Sequence, residues 1–197
     1  MHGEPYFPHL QPAGTTDAQV FSSSPSGGSE SMQLMYHLSI TAAGQSIDLS
    51  NAYFVPDELT NNVLADALKR GVKLRIITAG KIIDTKTVGA ASRGTWGPLL
   101  KAGAEIYEYQ PSMYHGKVTI VDNLLVSVGP TNFDNRSFRL NDEANLNIYD
   151  TLFAEQQTRI FEEDLRHSRQ VTFDTWSNRP LKEKLAERLA SLLCSQF

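Results

Sequence analysis

The most informative segment of the chain reads YHGKVTIVDNLLVSVGPTNFDNRSFRLNDEANLNIYD, from Tyr114 to Asp150. Within it, two short runs rich in aliphatic residues, KVTIVD and LLVSVG, meet at Asp122-Asn123. Such a pair between two β-rich runs is typical of a tight hairpin turn. A further strand is predicted over EANLNIY, from Glu143 to Tyr149. The segment therefore predicts three strands, of which the first two form a hairpin.

Four polar residues of this segment form a candidate site for a phosphate group. His115 and Lys117 lie two apart at the start of a predicted strand, so their side chains point to one face. Asn132 follows the second arm of the hairpin and could return to the same end, and Gly116 leaves room for a ligand beside the backbone. Glu143 begins a neighbouring strand and could reach an imidazole nitrogen. In such a set Lys and Asn donate to phosphoryl oxygens, His attacks phosphorus and Glu fixes the His tautomer.

The chain before this segment alternates between predicted helices and strands. Apolar residues at helical spacing, capping residues and glycine stops define the helices, and alternating patterns define the strands. The order predicts an α/β fold with helices on the faces of a sheet. The predicted elements are helices over 30–43, from Asp57 to Gly71 and over 85–102 (kinked near 94–98), strands over 45–54, 72–78 and 104–109, and, after the hairpin segment, a helix from Asp150 or Thr151 to about Arg169.

The two ends of the chain are predicted to be less regular. Residues 1–30, rich in Pro, Gly and Ser, form a flexible arm in which a short edge strand could occupy 18–22. Residues 171–197 form a C-terminal extension in which Pro180 begins an amphipathic helix. Acidic residues dilute the basic face of this helix, so we expect it to dock on the core rather than lie on a membrane. Its apolar stripe consists of Leu181, Leu185, Leu189 and Leu192.

Composition and charge exclude several classes of protein. The chain has 197 residues, 41% hydrophobic and 20% charged, which excludes wholesale disorder. Against 22 acidic residues it has 18 basic ones, and the net charge of −4 gives no reason to expect a specific nucleic-acid partner. Cys194 is the only cysteine, so no intrachain disulfide is expected. No apolar run approaches the roughly 20 residues of a transmembrane helix, and no secretory signal is predicted.

The central segment resembles the phospholipase D superfamily. His115, Lys117 and Asp122 fit the H-x-K-x4-D signature, Gly129 and Asn132 fit the G-S-x-N element that follows it, and Glu143 fits the downstream carboxylate. Longer stretches resemble the C-terminal half of bacterial cardiolipin synthases in the same order, over roughly 18–197. These stretches are NAYFVPDEL, ALKRGVKLRII, GAEIYEYQPSMYHGK and NFDNRSFRLNDEANLNIYD.

The resemblance implies a phospholipase D-like α/β/α sandwich with a mixed central sheet, and a catalytic domain over residues 31–170. It also implies a phosphatidyltransferase that works through a phosphohistidine at His115. Lys117 and Asn132 would hold the phosphoryl oxygens, and Glu143 would bond to the other imidazole nitrogen. The catalytic set of the signature includes Asp122, which we expect to be a structural anchor near the turn rather than a reactant. Neither a metal nor a cofactor is needed.

Three further residues are candidates for substrate binding. Gly129 belongs to the signature beside Asn132. Tyr53 could line a lipid cleft with Phe54, or both could be core aromatics on a strand. Arg136 could meet a lipid phosphate, or could pair with acidic residues near its own loop.

The chain carries one such motif, where the family site uses two. A second histidine must therefore come from a homodimer partner or from a separate N-terminal half, because no other histidine has a lysine two residues on. Pro130 also stands where the family usually has serine, and proline offers neither a hydroxyl nor an amide hydrogen. Two rival functions follow: a homodimeric phosphodiesterase or nuclease, and an inactive truncated remnant. The expected partners of the synthase-like form are a phosphatidylglycerol-like phospholipid and a membrane surface, with the chain peripheral on the cytoplasmic side of the bacterial inner membrane.

Overall fold

A mixed sheet forms the centre of the protein in a computed structural model that describes residues 8–9, 11, 13–26 and 30–191. Within these residues the sheet has eight strands in the order β1-β7-β6-β5-β2-β3-β4-β8. β2, β3 and β4 run parallel, and the other neighbours are antiparallel. The strands are β1 (Asp17–Ser23), β2 (Ser46–Asn51), β3 (Lys73–Ala79), β4 (Glu105–Tyr109), β5 (Lys117–Val121), β6 (Leu125–Val128), β7 (Glu143–Tyr149) and β8 (Ser168–Val171).

Helices and apolar side chains cover both faces of this sheet. On β3 the adjacent residues Ile76 and Ile77 are both fully buried but belong to separate clusters, as the alternation of a strand requires. Ile76 packs with α1, α2 and α4, whereas Ile77 packs with α6. The predicted α/β/α sandwich with a mixed sheet is confirmed. The helices are α1 (Ser31–Ala42), α2 (Glu58–Lys69), α3 (Lys86–Thr95), α4 (Gly97–Ala102), α5 (Asn135–Arg139), α6 (Thr151–Arg166), α7 (Phe173–Ser177) and α8 (Leu181–Ser191).

Local signals in the sequence place several elements as predicted. Asp122 and Asn123 both adopt the left-handed conformation, with φ of 52° and 50°, and join β5 to β6 in a hairpin. This conformation suits Asp and Asn better than other non-glycine residues. The side chain of Asp57 accepts the Thr60 N–H at 2.8 Å and begins α2. β1 forms an edge of the sheet, pairing with β7, where an edge strand was predicted over 18–22.

Two parts of the C-terminal region differ from the prediction. The helix predicted to continue to about Arg169 ends at Arg166, because residues 168–171 pair with β4 at the other edge of the sheet. β8 therefore crosses the predicted domain boundary at 170. The small helix α7 follows and was not predicted.

The last helix docks on the core through a different face from the one predicted. Glu187 and Ala190 are buried, and Glu187 lies against Gly94 of α3, where the absence of a side chain allows close approach. An ion pair from Arg179 to Glu187, with Nε to Oε2 at 2.7 Å, fixes this orientation. The predicted docking of the leucine stripe is therefore wrong for the described leucines, and Leu192 lies outside the described residues. The exposed fractions are 81% for Leu181, 61% for Leu185 and 58% for Leu189.

In the described part of the chain, no helix is long and apolar enough to cross a bilayer.

Candidate active site

The candidate residues come together at one end of the sheet. β5 begins there at Lys117, which lies opposite Asn51 at the end of β2. β6 ends beside it, and Gly129 donates its backbone N–H to the Lys117 carbonyl oxygen at 3.3 Å. β7 begins there at Glu143, opposite Ser23 at the end of β1. The termini of five strands therefore border a common region.

His115 lies exposed in the loop before β5. Its imidazole faces the ring of Tyr53 edge-on, with the ring centroids 6.3 Å apart. The preceding residue, Tyr114, is buried, and its hydroxyl bonds to Ser50 Oγ at 2.7 Å and to Asp164 Oδ2 at 2.9 Å. This anchor holds the loop on the sheet and leaves the imidazole accessible.

A tyrosine–aspartate pair stands beside the imidazole. The Tyr53 hydroxyl donates a hydrogen bond to Asp84 Oδ1. Burial, with a further contribution from the Asp84 carboxylate, raises the pKa of Tyr53 to about 12, so the phenol keeps its proton at neutral pH. The structure thus places Tyr53 at the site, whereas Phe54 is fully buried in the core. Asp84 was not predicted from the sequence, because it lies in the segment after β3 and has no motif around it.

The Lys117 ammonium is partly buried near carboxylates. Its Nζ donates a hydrogen bond to the His115 carbonyl oxygen at 3.3 Å. Burial lowers the pKa of Lys117 from its ordinary value of 10.5. Three carboxylates oppose this fall through their negative charge, those of Glu143, Asp134 and Asp84. Lys117 is therefore a partly buried cation whose charge is available to an incoming anion.

Asn132 places an amide near the same end of the sheet. Its backbone N–H donates to Ser137 Oγ at 3.2 Å, which fixes the main chain after β6. The side-chain Oδ1 is buried and has no hydrogen-bond partner within the described residues. The amide is thus not held by a strong internal bond.

Glu143 is 6% exposed and does not bond to the imidazole. Its Oε1 accepts a hydrogen bond from Asn141 Nδ2 at 3.2 Å. The predicted hydrogen bond from His115 is not formed, because the imidazole is directed at Tyr53. The charge of Glu143 acts on nearby groups instead, among them Lys117, whose pKa it raises against the effect of burial.

A buried aspartate near Lys117 was not predicted from the sequence as a site residue. Asp134 is 5% exposed, and its Oδ1 accepts the Ser137 N–H at 2.7 Å at the start of α5. Burial raises the pKa of Asp134, and the nearby charge of Glu143 raises it further. The spacing of Asp134 and Ser137 is that of a helix N-cap, and this signal in NFDNRS could have identified it.

Asp122 lies at the far end of β5 from His115. Its carboxylate accepts backbone N–H groups of Gly44, Gln45 and Ser46, each at 2.8 Å. These bonds hold the start of β2 against the hairpin turn. The five residues of β5, roughly 17 Å of extended chain, separate Asp122 from the imidazole. Asp122 therefore lies at the turn, where it was expected to be a structural anchor rather than a reactant.

Replacing Asp122 by alanine is expected to lower the free energy of unfolding by about 1–3 kcal/mol, because three N–H groups lose a charged acceptor near the surface. Urea unfolding measures this loss. Asp66→Ala on the exposed side of α2 is the matched control, and we expect no change in its unfolding midpoint. Wild-type stability in Asp122→Ala would contradict the anchoring role.

Gly129 lies where two neighbouring strands pack closely. A Cβ added to Gly129 would lie 2.2 Å from Asn145 Oδ1, so packing between β6 and β7 requires glycine there. Its substrate-binding role stays a prediction.

Arg136 is exposed on α5, and no ion pair to it within 4 Å occurs among the described residues. Its guanidinium is accessible to an anion.

The other described histidines are engaged elsewhere. His37 Nε2 hydrogen-bonds to Thr60 Oγ1 at 2.9 Å, between α1 and α2, and burial lowers its pKa. His167 Nδ1 contacts the Glu163 carbonyl oxygen at 3.0 Å at the end of α6. His9 is exposed in the arm, and His2 lies outside the described residues. A second histidine for the site is therefore not provided by the part of the chain that the structure describes.

Residues 37–165 match the family described as cardiolipin synthase, PLD-like domain. The chain belongs to this family. The predicted resemblance to the phospholipase D superfamily and to cardiolipin synthases is confirmed.

Curated cardiolipin synthases match nearly the whole chain. The enzyme of Geobacillus kaustophilus (strain HTA426) is 37% identical over 186 residues, 94% of this chain. The major cardiolipin synthase ClsA of Bacillus subtilis (strain 168) is 36% identical over 188 residues, 95% of this chain. The chain spans only 37% and 39% of the length of these two relatives. It therefore corresponds to little more than a third of a cardiolipin synthase.

Solved structures share the fold at low sequence identity. Phosphatidylserine synthase of Haemophilus influenzae Rd KW20 has a TM-score of 0.70 at 16% identity, over 93% of this chain and 46% of that one. The phospholipase D family member Nuc of Salmonella typhimurium has a TM-score of 0.67 at 22% identity, over 80% of this chain and 99% of that one. The same fold thus makes up about half of one chain and nearly all of another.

Proposed function

We propose that this chain is the phosphoryl-accepting half of a cardiolipin-synthase-like phosphatidyltransferase acting on a phosphatidylglycerol-like lipid. The observation that carries the proposal is the exposed imidazole of His115 beside the partly buried ammonium of Lys117. An imidazole nitrogen attacks the phosphodiester, so that an N–P bond forms and the P–O bond to glycerol breaks. The acceptor alcohol then attacks phosphorus, and the N–P bond breaks. One alcohol replaces another, without net oxidation or reduction.

Lys117 and Asn132 would hold the phosphoryl oxygens while negative charge accumulates on them. A partly buried lysine has already lost part of its hydration, so its charge acts more strongly at phosphorus than that of a fully exposed lysine. The unbonded amide of Asn132 can turn towards the same group. Glu143 would tune Lys117 by its charge, in place of the direct bond to the imidazole that the resemblance implies.

The leaving alcohol needs a proton, and we propose that a second motif supplies it and then takes the proton of the acceptor alcohol in the second step. The chain corresponds to little more than a third of its curated relatives, which favours the N-terminal half of such an enzyme as the source. In the rival form, two copies of this chain face each other and act as a phosphodiesterase or nuclease. The near-complete match to the Nuc chain supports this rival, since that fold occurs alone. Because the proposed substrate is a membrane lipid, we place the chain peripherally at the cytoplasmic face of the bacterial inner membrane.

Incubation of the chain with phosphatidylglycerol vesicles, followed by lipid analysis, tests the proposal. We expect cardiolipin and free glycerol in the presence of the complementary half, and none when His115→Asn replaces the wild-type chain. Sedimentation distinguishes the rival: activity of the chain alone in a dimer, with diester hydrolysis and no cardiolipin, supports the homodimer. A folded chain that forms no phosphohistidine under any condition identifies the inactive remnant.

A further inference from the structure

Ser23 carries a buried hydroxyl that has no hydrogen-bond partner among the described residues. It is the last residue of β1, and its side chain is 5% exposed. The register between β1 and β7 puts it directly opposite Glu143, whose side chain is equally buried. Directly opposed residues project to the same face, with Cβ atoms about 4.5–5.5 Å apart. Rotation about the Cα–Cβ bond of Ser23 therefore brings its hydroxyl within reach of the carboxylate.

A cavity of about 440 Å³ adjoins Ser23 and Glu143. Pro130 lines the same cavity and has neither a hydroxyl nor an N–H group to donate. Asn141 supplies one hydrogen bond to Glu143, and a carboxylate can accept several more. Ser23 is thus a donor facing an acceptor with spare capacity.

The charge balance around Lys117 shows when this donor is needed. In the free protein the charge of Glu143 acts on the Lys117 ammonium, and Asp134 adds a second buried carboxyl group nearby. A phosphoryl group bound to Lys117 draws the ammonium towards its own oxygens. Glu143 then shares the charge of Lys117 with the phosphoryl group while it stays buried, and a buried charge with less compensation is unfavourable.

We propose that Ser23 is a positioning residue that donates its hydroxyl proton to Glu143 when a phosphoryl group occupies Lys117. This inference rests on the proposed function, since it takes Lys117 as the anion site. With a phosphoryl group bound at Lys117, the Ser23 hydroxyl gains the hydrogen-bond partner that it lacks in the free protein. It also accounts for a proline at position 130, because the donor comes from the strand on the opposite side of β7.

The free protein gives the first test. Removing a buried hydroxyl that has no partner should stabilise the fold, so we expect Ser23→Ala to raise the melting temperature by about 2–4 °C. Ser22→Ala is the matched control, because Ser22 is exposed on the same strand and should melt like the wild type. A lower melting temperature for Ser23→Ala would mean that the hydroxyl is already bonded in the free protein, and the proposal would be wrong.

Binding of inorganic phosphate, measured by calorimetry, gives the second test. Ser23→Ala should weaken phosphate binding about tenfold, the loss expected for one hydrogen bond to a charged group. Ser23→Thr keeps a hydroxyl and should bind like the wild type, as should Ser22→Ala. Adding Pro130→Ser to Ser23→Ala should restore most of the affinity, whereas Pro130→Ser alone should change it less than about threefold. If Ser23 had only a structural role, a serine at position 130, on the other side of β7, would not restore phosphate binding.

The outcomes separate this inference from the proposed function. Equal phosphate affinity in Ser23→Ala and the wild type overturns the role of Ser23 and leaves the phosphoryl site intact. Unchanged phosphate affinity in Lys117→Met overturns the proposed anion site, and the Ser23 inference with it. Failure of Pro130→Ser to restore binding in the Ser23→Ala background also overturns the assignment of Ser23.

Discussion

Replacement of His115 by asparagine is expected to abolish the burst of p-nitrophenolate that we expect the wild-type chain to release from bis(p-nitrophenyl) phosphate. Nitrophenolate is a stable anion and leaves phosphorus without a proton from a second histidine. The chain alone can therefore complete the first step, with one nitrophenolate released for each N–P bond formed. Without the imidazole no nucleophile faces the diester, and the rate should fall at least roughly a thousandfold.

Stopped-flow absorbance measures this burst, and mass spectrometry identifies the covalent product. The added mass should survive alkali and disappear in acid, as expected for a phosphoramidate. His37→Asn is the matched control, since His37 lies between α1 and α2 and bonds to Thr60. A full burst from His115→Asn, or a label on another residue, would remove His115 as the nucleophile.

Replacement of Lys117 by methionine should slow the same burst by about a hundredfold to a thousandfold, the effect of removing one preorganised donor from a developing phosphoryl charge. Methionine keeps most of the aliphatic volume, so folding should be preserved. Lys101→Met on α4 is the matched control, because Lys101 is exposed and lies outside the site. An unchanged burst rate in Lys117→Met would show that the ammonium does not touch the reacting phosphate.

The pH dependence of the burst follows from the same residue. Burial lowers the pKa of Lys117, so the ammonium loses its proton at a lower pH than an exposed lysine does. The burst rate should therefore decline on the alkaline side before pH 10.5 is reached. Lys117→Arg keeps its charge over this range and should lack that decline, even if its overall rate is lower. An alkaline decline that persists in Lys117→Arg would belong to another group.

The sequence predicts the parts of the fold that depend on local chemistry. Asp57 as a helix cap, the Asp122-Asn123 turn and the glycine stops act within a few residues of themselves, and each occurs as predicted. β8 depends instead on a distant partner. Its sequence, SRQV, has no strong pattern, and it becomes a strand because the edge of β4 is available.

In the candidate site as well, local spacing predicted the positions of residues but not the contacts of their side chains. A two-residue spacing placed His115 and Lys117 together, and the hairpin brought back Asn132. The bond expected between Glu143 and His115 was not formed, because side-chain direction depends on neighbours such as Tyr53 and Asn141 that no spacing rule includes. The leucines of α8 follow a helical period correctly, yet the buried face is chosen by Gly94 and by the ion pair of Glu187.

The pairing of β1 with β7 has a consequence for how the chain reaches its final state. β1 leaves the ribosome well before its partner, Glu143–Tyr149, which is made only after most of the sheet has been synthesised. Closing so long a loop is slow, and until it closes the backbone groups of β7 offer a free edge to other chains. Self-association through the free edge of β7 is thus a risk during synthesis. It ends when β1 pairs with β7, which also brings Ser23 to the site.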